Sequence, residues 1–271
     1  MSVETVLVTG ASSGIGRELA KCFAAEGCQL ILVARKRDAL QALAEELRRT
    51  YQTQSDVYPA DLARPGTPAQ IFEHLQSTGT RLDVLVNNAG FGAQGKFAEL
   101  PVERQLEMLQ VNITALLHLS RLFLPGMIER RRGGILNVAS TAAFQPGPGM
   151  AVYYATKACV LSLSEAVSEE VAGTGVTITS LCPGPTDTNF ATAADARFSH
   201  RFKKTAMPAE AVARIGHRAF RDGRAVAIAG FQNRLLALSV RFAPRFFVRK
   251  VVKRLNGVEV GGLVDCVRVD S

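Results

Sequence analysis

"TVLVTGASSGIGRELAKCFAAEG", residues 5–27, decides how the rest of the chain reads. Its first residues form a short apolar, β-branched run, the composition of a buried strand. Gly10, Gly14 and Gly16 follow in G-x3-G-x-G spacing, and the remainder takes helical spacing and closes on Gly27. A strand that turns through glycines into a helix N-terminus brings free N–H groups and the positive end of a helix dipole to one point. Glycines there remove the Cβ atoms that hold a pyrophosphate away from the backbone. Taken alone, the same turn also suits a tight strand-to-helix connection that binds nothing.

Outward from this unit the alternation continues. "QLILVAR" reads as a second buried strand, "RDALQALAEELRRT" as a helix, "QSDVYPADL" as a strand and turn, and "PAQIFEHLQSTG" as a helix. "LDVLVNNAG", "GGILNVAS", "GVTITSLCPG" and "RAVAIAG" read as further strands, separated by helical stretches. Strands that are apolar throughout and alternate with helices belong to a parallel sheet covered on both faces. The expected class is therefore α/β: a doubly wound (Rossmann) sheet of about seven mostly parallel strands. Residues 1–230 are expected to form the dinucleotide-binding domain with its active site, and 231–271 a basic helical extension and tail.

The end of the second strand bears on the choice of cofactor. A carboxylate at the position of Ala34 would bond both ribose hydroxyls and favour NAD(H). Ala34 has none, and Arg35 follows, with Lys36 and Arg37 next to it. A guanidinium suits a 2′-phosphate, so NADP(H) is favoured. A solvated charge after a strand is the plainer reading of Arg35.

Bulk properties agree with a globular protein. The chain has 271 residues, 47% hydrophobic and 21% charged, ordinary for a soluble fold. Its five cysteines lie far apart with no CxxC pair, which argues for reduced thiols in the cytoplasm and against a metal site. No leader pattern opens the sequence, and no uncharged apolar run reaches the ~18 residues of a membrane span. The net charge of +8 is uneven: residues 197–254 carry +13, and 1–196 carry −3.

"VYYATKACV", residues 152–160, sets Tyr153 four residues and Tyr154 three residues before Lys157. Helix geometry lets either tyrosine share a face with that lysine. Ser140 ends a strand thirteen residues before Tyr153. In this company the sequence resembles the short-chain dehydrogenase/reductase family, over nearly all of the chain to about residue 190. "TGASSGIG", with Ser12, Ser13 and Ile15 between its glycines, resembles the family's cofactor turn. Asp61 and Leu62 resemble the segment whose acid holds the adenine amine. Asn88, Ala89 and Gly90 of "NNAG" resemble the segment under the adenosine side. Pro183, Gly184, Thr186 and Thr188 of "PGPTDT" resemble the segment that binds the nicotinamide carboxamide.

The resemblance implies that Asn112, Ser140, Tyr153 and Lys157 are the catalytic set, and its Tyr-x-x-x-Lys pattern selects Tyr153 over Tyr154. Carbonyl reduction needs a proton for the forming alkoxide, and a free tyrosine with a pKa near ~10 gives one up slowly at neutral pH. Lys157, together with the positive charge of an oxidised nicotinamide, is expected to lower that pKa, and the resemblance implies that Lys157 also holds the nicotinamide ribose. Ser140 is expected to donate to the substrate oxygen, and Asn112 to hold a water that links Lys157 to solvent. Each of these residues by itself fits an ordinary structural role, and Tyr154 is expected to pack, at a subunit contact or elsewhere. The implied function is NADP(H)-dependent transfer of hydride to a carbonyl of an apolar small molecule. The rivals are a cofactor-binding sensor with little catalysis and a membrane-surface reductase of lipid-derived carbonyls. The family implies a homodimer or homotetramer.

Phe91, Phe144, Met150 and Phe190 are candidates for an apolar substrate pocket. Residues from 189 to about 207, polar and Ala-rich, suit a closing lid. Beyond the last strand, "FQNRLLALSVRFAPRFFVRKVVKRLN" (231–256) has helical apolar spacing, a break at Pro244 and seven cations. It fits a helix packed on its own domain, an oligomer contact, or a surface docked on an anionic membrane. No motif that reads nucleic acid accompanies it. Residues 257–271 suit a loose end or a small added strand.

Overall fold

The computed structural model of the chain describes residues 3–188, 190 and 205–257. The first strand, β1 (Thr5–Thr9), passes through the glycine turn into α1 (Gly14–Ala25). Then come β2 (Gln29–Ala34), α2 (Arg37–Tyr51), β3 (Ser55–Pro59), α3 (Thr67–Ser77) and β4 (Val84–Asn87). One continuous helical stretch follows, α4 (Val102–Leu109), a π-helical segment over Gln110–Ala115, and α5 (Leu116–Glu129). By length and composition this stretch could cross a membrane. Here Met108, Ala115, Leu119, Phe123 and Met127 are buried within the fold.

The second half contains β5 (Gly133–Val138), a 3-10 turn over Thr141–Phe144, α6 (Ala151–Glu170), β6 (Val176–Cys182) and β7 (Thr186–Asp187). It ends with β8 (Met207–Pro208), α7 (Ala209–Arg221), β9 (Val226–Ile228), α8 (Phe231–Ser239) and α9 (Arg245–Leu255). Seven strands form one sheet in the order β3-β2-β1-β4-β5-β6-β9, parallel at every pairing. The short β7 and β8 pair apart from it, a feature the sequence pattern did not announce.

Side chains alternate across the pleat, so each strand feeds two cores. Val6, Val8, Leu30 and Leu32 pack on one face with Leu19 and Phe23 of α1 and Leu40 and Leu43 of α2. Leu7, Ile31 and Val33 pack on the other with Ile71 of α3 and Leu119, Phe123 and Met127 of α5. The strand order explains where a ligand can sit. From β1 the chain winds outward through β2 and β3, then crosses back to β4 on the other side. The crevice of such a sheet opens at the carboxyl ends of β1 and β4, where that order reverses. The glycine turn and the segment 88–90 both begin there.

Candidate active site

The glycine turn is held by its neighbours. Thr9 Oγ1 accepts the amides of Asn88 and Ala89 at 3.0 Å each, and Asn88 Nδ2 donates to the carbonyls of Thr9 (2.9 Å) and Gly10 (3.2 Å). Gly10 has φ +65°, and a Cβ on Gly16 would stand 2.3 Å from Asn88 Nδ2. Both glycines are therefore fixed by packing against the 88–90 segment as well as by room for a ligand. Gly14, at φ +56°, lies under the Thr188 side chain, which brings "TGASSGIG" and "PGPTDT" together. Pro183 accepts the amide of Thr141, and Thr186 Oγ1 bonds Gly184 O, so this loop is braced against the end of β5.

The turn suits a dinucleotide. Ser13 stands at the N-cap of α1 but its side chain makes no capping bond, and the first turn carries no acid. The first N–H groups of α1 and its dipole thus face an anion uncontested. Ser12 and Ile15 lie in the same turn. Arg35 is exposed at the end of β2, and no described carboxylate pairs with it. Asp61 turns its carboxylate onto the amide of Ala63 at 3.1 Å, and Leu62 is buried in the second core.

The catalytic candidates converge from three elements. In α6 the buried positions Tyr153, Thr156, Lys157, Val160 and Ser164 fall on one helical stripe. Tyr153 is on that stripe and Tyr154 is beside it, so burial separates the two tyrosines that spacing left equivalent. Lys157 Nζ donates to Val138 O at 2.8 Å and lies 5.9 Å from the Tyr153 ring centroid. Ser140 follows β5, with its Oγ accepting the Ala142 amide at 3.0 Å. Asn112 lies in the π-helical segment, a departure that favours functional positions. Its amide is fully engaged: Oδ1 accepts Phe91 N at 3.1 Å, and Nδ2 donates to Phe91 O (2.9 Å) and Thr156 Oγ1 (3.1 Å). A Cβ on Gly90 would meet Asn112 Oδ1 at 3.0 Å and Lys157 Nζ at 3.4 Å, so both side chains close on that glycine.

Burial pushes the Tyr153 phenol up to about 12, against a smaller downward pull from the Ser140 hydroxyl. The Lys157 ammonium points at the Val138 carbonyl and is itself pushed down to about 8 by burial. Desolvation is the larger effect on both groups, and Tyr153 holds its proton throughout the neutral range.

Three of the four pocket candidates meet at Tyr153. Phe91, Met150 and Phe190 cluster with Ala93, Met108 and Tyr153, and the Phe190 ring lies 5.2 Å from that of Tyr153. A Cβ on Gly92 would touch Phe190, Met150 and Tyr153 together, so Gly92 keeps the space open. Phe144 is not among them. The 3-10 turn carries it into a separate cluster with Leu116, Ala139, Val160, Leu161 and Cys182. Apart from Phe190 and residues 205–207, the expected lid from 189 to about 207 lies outside the described residues, as do the tail beyond 257 and Cys266. The four described cysteines are free.

Sequence reasoning missed several residues. Thr9 carried no signal as a polar strand end. Arg104 stacks its guanidinium 4.0 Å above Phe91, a contact from α4 that spacing cannot show. Asn256 closes α9 and is 1% exposed. It accepts from Tyr154 Oη (3.2 Å), donates to Pro148 O (2.9 Å), and takes a bond from Gln94 on its carbonyl.

A strand–turn–helix anion cradle at the reversal of a parallel sheet, beside a buried Ser-Tyr-Lys group, defines a nicotinamide-dinucleotide oxidoreductase of the Rossmann class. The chain belongs to the short chain dehydrogenase family, whose sequence model matches residues 4–197. It is 39% identical over 181 residues to the uncharacterized oxidoreductase YvrD of Bacillus subtilis, covering 67% of this chain and 68% of that one. Among solved structures, the short-chain dehydrogenase of Sphingobium yanoikuyae in complex with NADPH has TM-score 0.79 and 32% identity, over 89% of this chain and 93% of that one. A short chain dehydrogenase/reductase of Burkholderia phymatum in complex with NAD has TM-score 0.78 and 26% identity, over 89% and 92%.

Proposed function

We propose that the protein is an NADP(H)-dependent reductase that converts a ketone or aldehyde of an apolar small molecule to the alcohol. The observation that carries this reading is the approach of Ser140, Tyr153 and Lys157 to a cluster lined by Phe91, Met150 and Phe190. The glycine turn and the unpaired Arg35 are the residues that would hold the dinucleotide, with Arg35 on its 2′-phosphate. Bound NADPH supplies the hydride, and the protein supplies placement and the proton. Tyr153 donates its phenolic proton to the substrate oxygen as negative charge gathers there. Ser140 donates a hydrogen bond to the same oxygen, which lowers the energy of that charge. Lys157 lies within reach to restore the proton balance of the phenol.

The phenol keeps its proton in the neutral range and so stands in the form that donates, although burial, by raising its pKa, makes it a weaker acid than a free tyrosine. The apolar lining supports a hydrophobic substrate. The test is NADPH oxidation against a panel of hydrophobic ketones and aldehydes. Tyr153→Phe is expected to lower kcat by at least about 100-fold, the scale of a lost general acid, with NADPH affinity retained. Full turnover in that variant removes the assignment. Tight NADPH binding by the native chain with no turnover on any carbonyl favours a cofactor-binding sensor instead.

A further inference from the structure

We propose that residues 231–255 form a docking surface that seats the protein on an anionic lipid bilayer. The two helices α8 and α9 touch their own domain through very little. Ala237, Val248, Val252 and Asn256 are their buried residues. Facing out are Phe231, Leu235, Leu236, Leu238, Phe242, Phe246, Phe247, Val251 and Leu255, between 38% and 83% exposed. Large apolar surfaces on monomeric proteins are rare in water unless something binds there.

The pattern is ordered. At about 100° per residue, Phe231, Leu235 and Leu238 form one stripe of α8, on the side opposite buried Ala237 and half-buried Asn233. In α9, Phe247, Val251 and Leu255 repeat at i, i+4, i+8 beside Lys250 and Arg254. Arg234, Arg241, Arg245, Arg249 and Lys253 complete seven cations, with no Asp or Glu between residues 231 and 256. None of the seven has a carboxylate within ion-pair distance among the described residues.

Charge selects the occupant. A second copy seated two-fold on this face would set seven cations against seven. The largest acid excess elsewhere is small, −3 over residues 1–196, and would leave most of the seven cations unmatched in a head-to-tail contact. A nucleic acid would take the cations and leave the Phe231–Leu235–Leu238 stripe in water. An anionic bilayer satisfies both features, with aromatic and aliphatic side chains entering the headgroup boundary and cations on the phosphates.

The surface is tied to the site. Asn233 of α8 packs its amide on Gly184 of the loop beside Thr188, and Asn256 at the end of α9 bonds Pro148 and Tyr154. A bilayer under these helices therefore lies beside the substrate side of the fold. Delivery of an apolar carbonyl from the bilayer follows as a consequence. That consequence, unlike the docking, rests on the reading given under Proposed function.

The experiment is co-sedimentation of the full chain with sucrose-loaded vesicles, read without turnover. We expect binding to phosphatidylcholine vesicles that contain phosphatidylglycerol, none to phosphatidylcholine alone, and release by about 0.5 M salt. Arg249→Gln with Lys250→Gln should weaken binding roughly 25-fold, about five-fold for each cation removed. Phe231→Ser with Leu235→Ser should weaken it as well, with the melting temperature held because both side chains are exposed. No binding to anionic vesicles at low salt overturns the proposal, and so does equal binding by either double variant. A concentration-dependent dimer that Phe231→Ser with Leu235→Ser breaks, in a chain that ignores vesicles, assigns the face to a second copy and also overturns it.

Discussion

Tyr153 and Lys157 are both buried on one helix stripe, and burial moves their proton affinities in opposite senses. The phenol is held up at about 12 and the ammonium down at about 8. Each shift is also a statement about stability. Below pH 8 both the folded and the unfolded chain keep the Lys157 proton, and the cost of a buried charge is present in full. Above pH 8 the folded chain releases it while the unfolded chain keeps it up to the ordinary 10.5, so this group makes stability rise with pH across that window. Tyr153 acts in the other sense, but only above its ordinary value of 10. The thiols of Cys22, Cys28 and Cys182, raised by burial to about 11, oppose the rise as the unfolded chain's thiols ionise around their ordinary value of 9. Between pH 8 and 9 the lysine contributes about 1 kcal/mol and the three thiols together offset about as much, so the lysine is read from a comparison with Lys157→Met. Urea unfolding is expected to show the native chain's stability nearly level from pH 8 to pH 9 and that of Lys157→Met falling by about 1 kcal/mol. A variant whose stability follows the native chain's across that interval would place the titrating group elsewhere.

At the level of elements, strand–turn–helix units were legible because their signals are local. Apolar runs, helical spacing and positive-φ glycines all lie within a few residues of each other, and the seven-stranded parallel sheet follows from their alternation. The π-helical segment around Asn112 was not legible, since it is fixed by Phe91 and Thr156, 21 and 44 residues away. Phe144 was hard to place for the same reason: nothing local says that a 3-10 turn will carry it into the cluster around Leu116, Val160 and Leu161. Arg35 lies between these cases. Its place at the end of β2 was readable, and its exposure without a described carboxylate partner leaves the guanidinium available. A charge-assisted bond to a 2′-phosphate contributes about 1.5–3 kcal/mol. Arg35→Ala should therefore raise the KM for NADPH roughly ten- to hundred-fold and leave that for NADH nearly unchanged. An equal loss with both cofactors would mean that Arg35 shapes the strand end and does not select the phosphate.

Across the whole molecule, the extension that lies beyond the family match is joined to the site at two places, by Asn233 on Gly184 and by Asn256 on Tyr154 and Pro148. Tyr154, the tyrosine that spacing could not separate from its neighbour, turns out to be an anchor for α9. Its ring lies on Gly147, where a Cβ would stand 2.2 Å away, and its hydroxyl reaches Asn256, 102 residues along the chain. A pairing at that separation leaves no mark in local sequence. Asn256→Ala would remove both side-chain bonds and strand the Pro148 carbonyl and the Tyr154 hydroxyl in a buried place, at a cost of about 1–3 kcal/mol each. Tyr154→Phe strands only Asn256 Oδ1, so it should cost about 1–3 kcal/mol, roughly half the loss in Asn256→Ala, and preserve turnover. Since α9 has few other buried contacts, the loss in Asn256→Ala should appear as local opening more than as global unfolding. Hydrogen exchange is expected to speed up in the amides of residues 248–256 while those of β1, β4 and β5 keep their protection. If α9 instead exchanges as slowly in Asn256→Ala as in the native chain, then Val248 and Val252 alone hold the extension, and the link from its helices to the site is not made by Asn256.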